Sequence, residues 1–360
     1  MSTEVPPSEF VERGHAIAAA MISQLNLNLG DPGKIVALLD NASDELRVLW
    51  EHMAAANGFS WEPGTELCAL EELTDRLLTD HHQRRQLADK HGGVVGVRSG
   101  LGHLDETLNG LQRGQLYMLA AMPGSGKTTL ALQWAATVAQ AGYPALYISL
   151  ENDAADLARK TACRLGNVSY SAALKGKVDP ATWRDAVGKL KNLQGRLYVA
   201  TPRTVIPELG ELIKDVQKRA GQPPALVVID YLQALVKRAA RGADTADVRE
   251  RIDRLTPELR RLGEIHGCAV VAISSQNRSG YAAGGMAAMK ESGDIEYNAD
   301  VTMTLARPSE KDARTGQPTP PGLTPLLLTV EKNRQGLTGQ PIRLAMHGDR
   351  CTITEMETGA

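Results

Sequence analysis

The stretch Leu116-Tyr-Met-Leu-Ala-Ala-Met-Pro-Gly-Ser-Gly-Lys-Thr-Thr-Leu130 decides the fold. Its apolar opening, Leu116 to Ala121, reads as a buried strand. Met122-Pro-Gly-Ser-Gly126 follows as a tight loop, and Lys127, Thr128 and Thr129 open a helical pattern through Trp134 and Val138. Strand, glycine loop and helix start are the context that a phosphate-binding loop requires. Small residues let successive backbone N–H groups converge on phosphate oxygens, and the helix N-terminus adds partial positive charge. Lys127 is expected to reach the β- and γ-phosphates, and Thr128 to place its hydroxyl on Mg²⁺. The common pattern has Gly where this chain has Ala121; the flanking strand and helix restore the reading.

Working outward, the chain alternates strands and helices from Val94 onward, the signature of a mainly parallel sheet covered by helices on both faces. Strands are expected at 115–122, 145–150, 196–200, 225–229, 269–274 and 301–305, with a terminal set at 326–331, 341–346 and 352–355. Helices are expected at 127–141, 154–165, 180–192, 205–220 and 247–266, the last kinked by Pro257. Two further stretches read as loops: basic Lys237 to Thr245, with Arg238 and Arg241, and glycine-rich Asn277 to Met286, with Arg278.

Residues 9–90 read as all-helical. Segments Phe10–Leu27 and Ile35–Ala56 form a small helical domain, residues 1–65. Leu67, Leu70, Leu73 and Leu77 make a narrow stripe on a linker helix, residues 66–93, that stops at Gly92-Gly93. That stripe would pack either on its own bundle or on a neighbouring subunit.

Composition narrows the function. With 42% hydrophobic and 23% charged residues the chain is an ordinary globular protein, neither disordered nor membrane-embedded. No apolar run approaches the ~18 residues of a membrane span. Cys68, Cys163, Cys268 and Cys351 are far apart in sequence, which argues against structural zinc and for reduced thiols in the cytoplasm. Residues 1–90 carry 7 basic against 15 acidic side chains, net −8, and the rest 33 against 27, net +6. Nucleic-acid contacts would therefore depend on local basic loops.

Two apolar strands end in acids. Ala225-Leu-Val-Val-Ile-Asp230 places a carboxylate where Mg²⁺ would sit beside the phosphate loop. Ala145-Leu-Tyr-Ile-Ser-Leu-Glu151 places one where it orients the water attacking the γ-phosphate, or else caps the next helix.

With Gly110-Leu-Gln-Arg-Gly-Gln-Leu116, Val228-Ile-Asp-Tyr-Leu-Gln233, Ile273-Ser-Ser-Gln276, Lys290-Glu-Ser-Gly-Asp-Ile-Glu296 and Glu331-Lys-Asn-Arg-Gln-Gly-Leu-Thr-Gly339, these residues form an ordered set. The set resembles the ATPase domain of DnaB-type replicative helicases, ring-forming RecA-like ATPases, over about residues 94–355, leaving 94–360 as the ATPase domain. The resemblance implies Glu151 as catalytic glutamate and Gln276 as γ-phosphate sensor at the head of a DNA loop. The family usually has Ser-Gln-Leu-Asn-Arg, whereas Asn277 and Arg278 follow Gln276 directly here. It implies Lys290, Glu291 and Gly293 as the central-channel loop, with Lys290 where the family usually has Arg, so that bidentate phosphate binding is lost and point-charge binding kept. Lys237, Arg238 and Arg241 would add contacts to a single DNA strand. Lys332 and Arg334 match the pair that enters a neighbour's ATP site, which implies a homo-hexameric ring. The acidic N-terminal part is not matched by the family and is a candidate dock for a primase or loader. Two other readings stay open: a recombination mediator without unwinding, and a nucleotide-switched assembly protein.

Overall fold

The computed structural model describes residues 70–201, 207–239, 248–275, 298–308 and 319–356. The helices expected at 10–27 and 35–56, the loop from Arg241 to Thr245, and Gln276, Arg278, Lys290, Glu291 and Gly293 lie outside these residues. The chain divides into two units, Met1–Thr79 and Asp80–Ala360, and the sheet belongs wholly to the second.

Helix α1, Thr74–Lys90, follows a 3₁₀ turn, Leu70–Leu73, and ends where Gly92 and Gly93 adopt positive φ. The remaining elements are α2 Gly102–Leu108, β1 Leu116–Ala121, α3 Lys127–Gln140, β2 Ala145–Ser149, α4 Ala154–Gly166, α5 Tyr170–Leu174 and α6 Pro180–Gly188. Then come β3 Leu197–Ala200, α7 Pro207–Ala220, β4 Leu226–Asp230, α8 Leu232–Ala239, α9 Val248–His266 and β5 Ala269–Ser275. Strands β6 Val301–Ala306, β7 Thr324–Asn333, β8 Ile342–His347 and β9 Thr352–Glu355 close the chain. They form one sheet in the order β3-β2-β4-β5-β1-β6-β7-β8-β9. The first six strands are parallel, and β7 to β9 continue antiparallel from β6.

The pleat explains why the central strands read as continuous apolar runs. Tyr117, Leu119, Tyr147, Val228, Val271 and Ile273 join α3's Leu130, Trp134 and Val138 on one face. Leu116, Met118, Leu146, Ile148, Val227, Ile229 and Val270 join α7 and α9 on the other, through Leu209, Ile213, Ile252, Leu255 and Leu259. A sheet covered on both faces has no polar side to alternate with. The fold is thus the expected RecA-like layering.

Helices α2, α5 and α8 have no counterpart in the sequence expectation, and α6 is shorter than expected. Helix α2 has no side-chain cap of its own; Glu355 of β9 instead accepts from the His103 backbone N–H at 3.1 and 3.3 Å. Helix α6 tightens into a 3₁₀ turn, Lys189–Leu193, where one continuous helix is expected. Helix α8 follows β4 after a single residue, too soon for periodicity to separate them, and it runs to Ala239, so Lys237 and Arg238 lie in a helix and not in the expected loop.

Gly96 and Gly110 bring two backbone segments together beside the Val97–Leu111 bridge. A Cβ at Gly96 would lie 2.5 Å from the Leu111 carbonyl carbon, so the strap must move to admit one. Gly96→Ala is expected to destabilise the chain by about 3 kcal/mol in equilibrium denaturant unfolding; an unchanged midpoint would mean the strap opens freely.

Candidate nucleotide site

The loop between β1 and α3 is shaped by two left-handed glycines, Gly124 at φ 77° and Gly126 at φ 91°. Ser125 closes it, its backbone N–H and its hydroxyl both donating to Met122 O at 3.2 and 2.6 Å. Met122, Pro123, Gly124 and Ser125 line an open cleft of about 310 Å³ with Ala306 and Arg307 from the end of β6. A Cβ at Gly126 would lie 2.7 Å from Met346 Sδ of β8, so the antiparallel tail backs the loop closely. Lys127 and Thr128 begin α3, whose N-terminus points its unpaired N–H groups into the loop. Thr129 faces elsewhere, toward a small cavity shared with Lys160, Thr161 and Arg164.

Asp230, at the end of β4, is fully buried. Its Oδ2 accepts hydrogen bonds from Thr128 Oγ1 at 2.9 Å and from Tyr147 OH at 2.7 Å. Its Oδ1 is buried with no hydrogen-bond partner among the described residues. Burial, and then the neighbouring carboxylate, push the Tyr147 hydroxyl well above its ordinary pKa, so it stays a donor. A buried carboxylate with an unused oxygen beside a loop-terminal threonine suits a hydrated divalent cation; the residues present fit Mg²⁺.

Glu151 lies just beyond β2, where Ser149 pairs with Asp230 and the Leu150 N–H bonds Asp230 O at 2.7 Å. Its exposed turn is fastened by Ser149, whose hydroxyl donates to Asn152 O at 2.6 Å and accepts from Asn152 N at 2.9 Å. Asp153 is the residue that caps α4, accepting from Asp156 N at 2.7 Å. Capping is thus assigned elsewhere, and the Glu151 carboxylate is left facing solvent at the sheet edge that carries the loop.

Lys332 and Arg334 sit at the other edge. Lys332 Nζ donates to Ala299 O at 2.8 Å, and Arg334 NH1 lies 3.5 Å from Asp300 Oδ1. Asp300 Oδ2 accepts from Leu116 N at 3.0 Å, which fixes that end as the start of β1. The phosphate loop starts after Ala121, roughly 20 Å away at ~3.3 Å per residue. The structure therefore gathers Met122–Thr128, Asp230 and Glu151 at one edge and puts Lys332 and Arg334 at the opposite one. Lys237 and Arg238 belong to α8, and nothing further is described of their side chains.

Sequence reasoning missed Tyr147, Ser149, Gln233 and Asp300 as shaping residues. Tyr147 carried a usable signal, because a tyrosine in a fully buried aliphatic strand needs a partner for its hydroxyl. Among the described residues no group of acids, histidines or cysteines is arranged to hold a metal by itself. Cys163, Cys268 and Cys351 are free and buried, and burial pushes the Cys268 thiol up to about 12. No helix among these residues is long and apolar enough to cross a membrane.

A family model described as DnaB-like helicase C terminal domain matches residues 96–354. The chain is 29% identical, over 75% of its length and 58% of the relative's, to the replicative DNA helicase DnaB of Leifsonia xyli. It spans little more than half the length of the first curated relatives it matches. Among solved structures it resembles a separately solved ATPase domain, with a TM-score of 0.68 at 19% identity over 82% of this chain and 100% of that one. It also resembles a DnaB-like replicative helicase studied with primase, with a TM-score of 0.67 at 18% identity over 97% of this chain and 76% of that one.

Tyr147→Phe removes one of the two donors to the buried Asp230 carboxylate. It is expected to lower stability by about 1–3 kcal/mol in denaturant unfolding, and an unchanged stability would deny Tyr147 that role.

Proposed function

Because the chain belongs to the DnaB-like helicase C-terminal domain family, we propose that it is an ATP-driven motor that assembles into a ring and moves on single-stranded DNA. The observation that carries this reading is the separation of its chemistry. The phosphate loop, Asp230 and Glu151 lie at one sheet edge, and Lys332 and Arg334 lie at the other. One chain cannot fold its own Arg334 onto its own loop across that span. Two chains in head-to-tail contact can complete a pocket, and such contacts that close make a ring; six copies is the number we assign.

Within each pocket, the loop backbone from Met122 to Gly126 and the N-terminus of α3 take the phosphates. Lys127 neutralises the transferred phosphoryl group, and Glu151 orients and deprotonates the attacking water. Thr128 and Asp230 would hold Mg²⁺, Asp230 through water, and the ion when bound supplies positive charge at the phosphate oxygens. Lys332 and Arg334 of the adjoining copy stabilise the charge that develops there. On sequence alone, Gln276 is assigned to sensing the γ-phosphate, and Arg278, Lys290, Glu291 and Gly293 to the strand backbone, with Lys237, Arg238 and Arg241 as a second set. Contacts to backbone phosphates carry no base preference, as a moving motor requires. We assign residues 1–65 and the linker of residues 66–93 to ring support and to docking of a primase or loader, and 94–360 to the ATPase.

Two experiments test the reading. Wild type is expected to open a forked duplex and Lys127→Ala to fail; equal unwinding by both, or a wild type that assembles on DNA without opening forks, overturns it. Chains carrying Lys127→Ala and chains carrying Lys332→Ala with Arg334→Ala should each hydrolyse ATP poorly and recover activity when mixed. No recovery on mixing, or full turnover by an isolated single chain, defeats the shared pocket.

A further inference from the structure

Gln233 occupies the first turn of α8, three residues after Asp230, and its half-buried side chain crosses to the last two residues of β5. Its Nε2 donates to Ser274 Oγ at 2.9 Å and to Ser275 O at 3.0 Å, and its Oε1 accepts from Ser275 N at 3.1 Å. The register of β4 and β5 stops at Ile229 opposite Ala272, so pairing on the β4 side ends before Ser274, while β1 still stands beside Ser274 and Ser275 on the other side. The amide therefore continues the ladder past its natural end, with a side chain in place of a strand. It uses both the donor and the acceptor ends of one carboxamide, which no other side chain of that length supplies.

We propose that Gln233 is a positioning residue that transmits the state of the nucleotide pocket to the end of β5, and through it to the chain that follows. One end of the link is α8, which starts directly after the carboxylate assigned to the cation. The other is the final residue before Gln276 and the segment assigned to DNA. A shift of Asp230 is passed through α8 to the end of β5, by one hydrogen bond to Ser274 and two to Ser275. The inference rests on the motor reading above and adds the part that couples its two halves.

The test uses the full chain, a labelled oligothymidylate and a non-hydrolysable ATP analogue against ADP. The quantity read is the ratio of single-strand affinities in the two nucleotides. Lost packing alone lowers both affinities together and leaves the ratio fixed. Gln233→Leu keeps the length and removes every hydrogen bond; it is expected to bring the ratio down by about 5- to 10-fold. Gln233→Glu keeps the acceptor for Ser275 N and loses both donors, and it should fall between. Should both Gln233 variants fail to fold, Ser274→Ala, which removes one contact of the three, decides the matter: a lowered ratio supports the link and an unchanged one overturns it. A wild-type ratio near one overturns the motor reading, and this inference with it. A large wild-type ratio that Gln233→Leu leaves intact overturns this inference alone.

Discussion

A carboxylate with no exposure to water is the constraint on which the site depends. Asp230 ends a strand buried on both faces, and an isolated charge there is strongly disfavoured. Two hydroxyls relieve it, one from the first turn of α3 and one from the middle of β2. The same bonds tie the phosphate loop to two strands, because Thr128 opens α3 and Tyr147 lies within β2. Local electrostatics and global packing are thus one problem with one solution, and one carboxylate oxygen is left without a hydrogen-bond partner among the described residues.

The antiparallel tail extends this rigidity. Gln133 of α3 pairs with β9 like a strand, its amide donating to Ile353 O at 2.7 Å and accepting from Ile353 N at 3.0 Å. Glu355 reaches the start of α2, and Met346 backs Gly126. The antiparallel tail, whose strand β7 carries Lys332 and ends one residue before Arg334, therefore packs directly against the phosphate loop and α3. Carboxamides do this joining twice, at Gln133 and at Gln233, in places where backbone ladders run out.

Much of the fold was legible in the sequence, and the reason lies in periodicity. Apolar runs such as Ala225–Ile229 and Ala269–Ser274 stand as strands because a sheet covered on both sides leaves no polar alternation to misread. Short elements escaped, since α2 depends on a cap from Glu355, more than two hundred residues away. Motif spacing carried the loop residues and the strand-end acids, because each is placed by its own strand. Contacts between strands were not legible: Tyr147 stands opposite Val228 and reads as core until its hydroxyl is seen to reach Asp230, two residues further along β4. Which edge of the sheet Lys332 and Arg334 occupy likewise follows from the antiparallel register of β6 and β7, which no local pattern encodes.

That placement has a mechanical consequence. If each subunit is stiff and presents its own half-pocket on one flank and its borrowed half on the other, a tilt that tightens one junction must loosen the next. In the ring proposed above, neighbouring pockets would then be biased out of phase by leverage alone, and order of firing would be a property of the circle that no single subunit possesses.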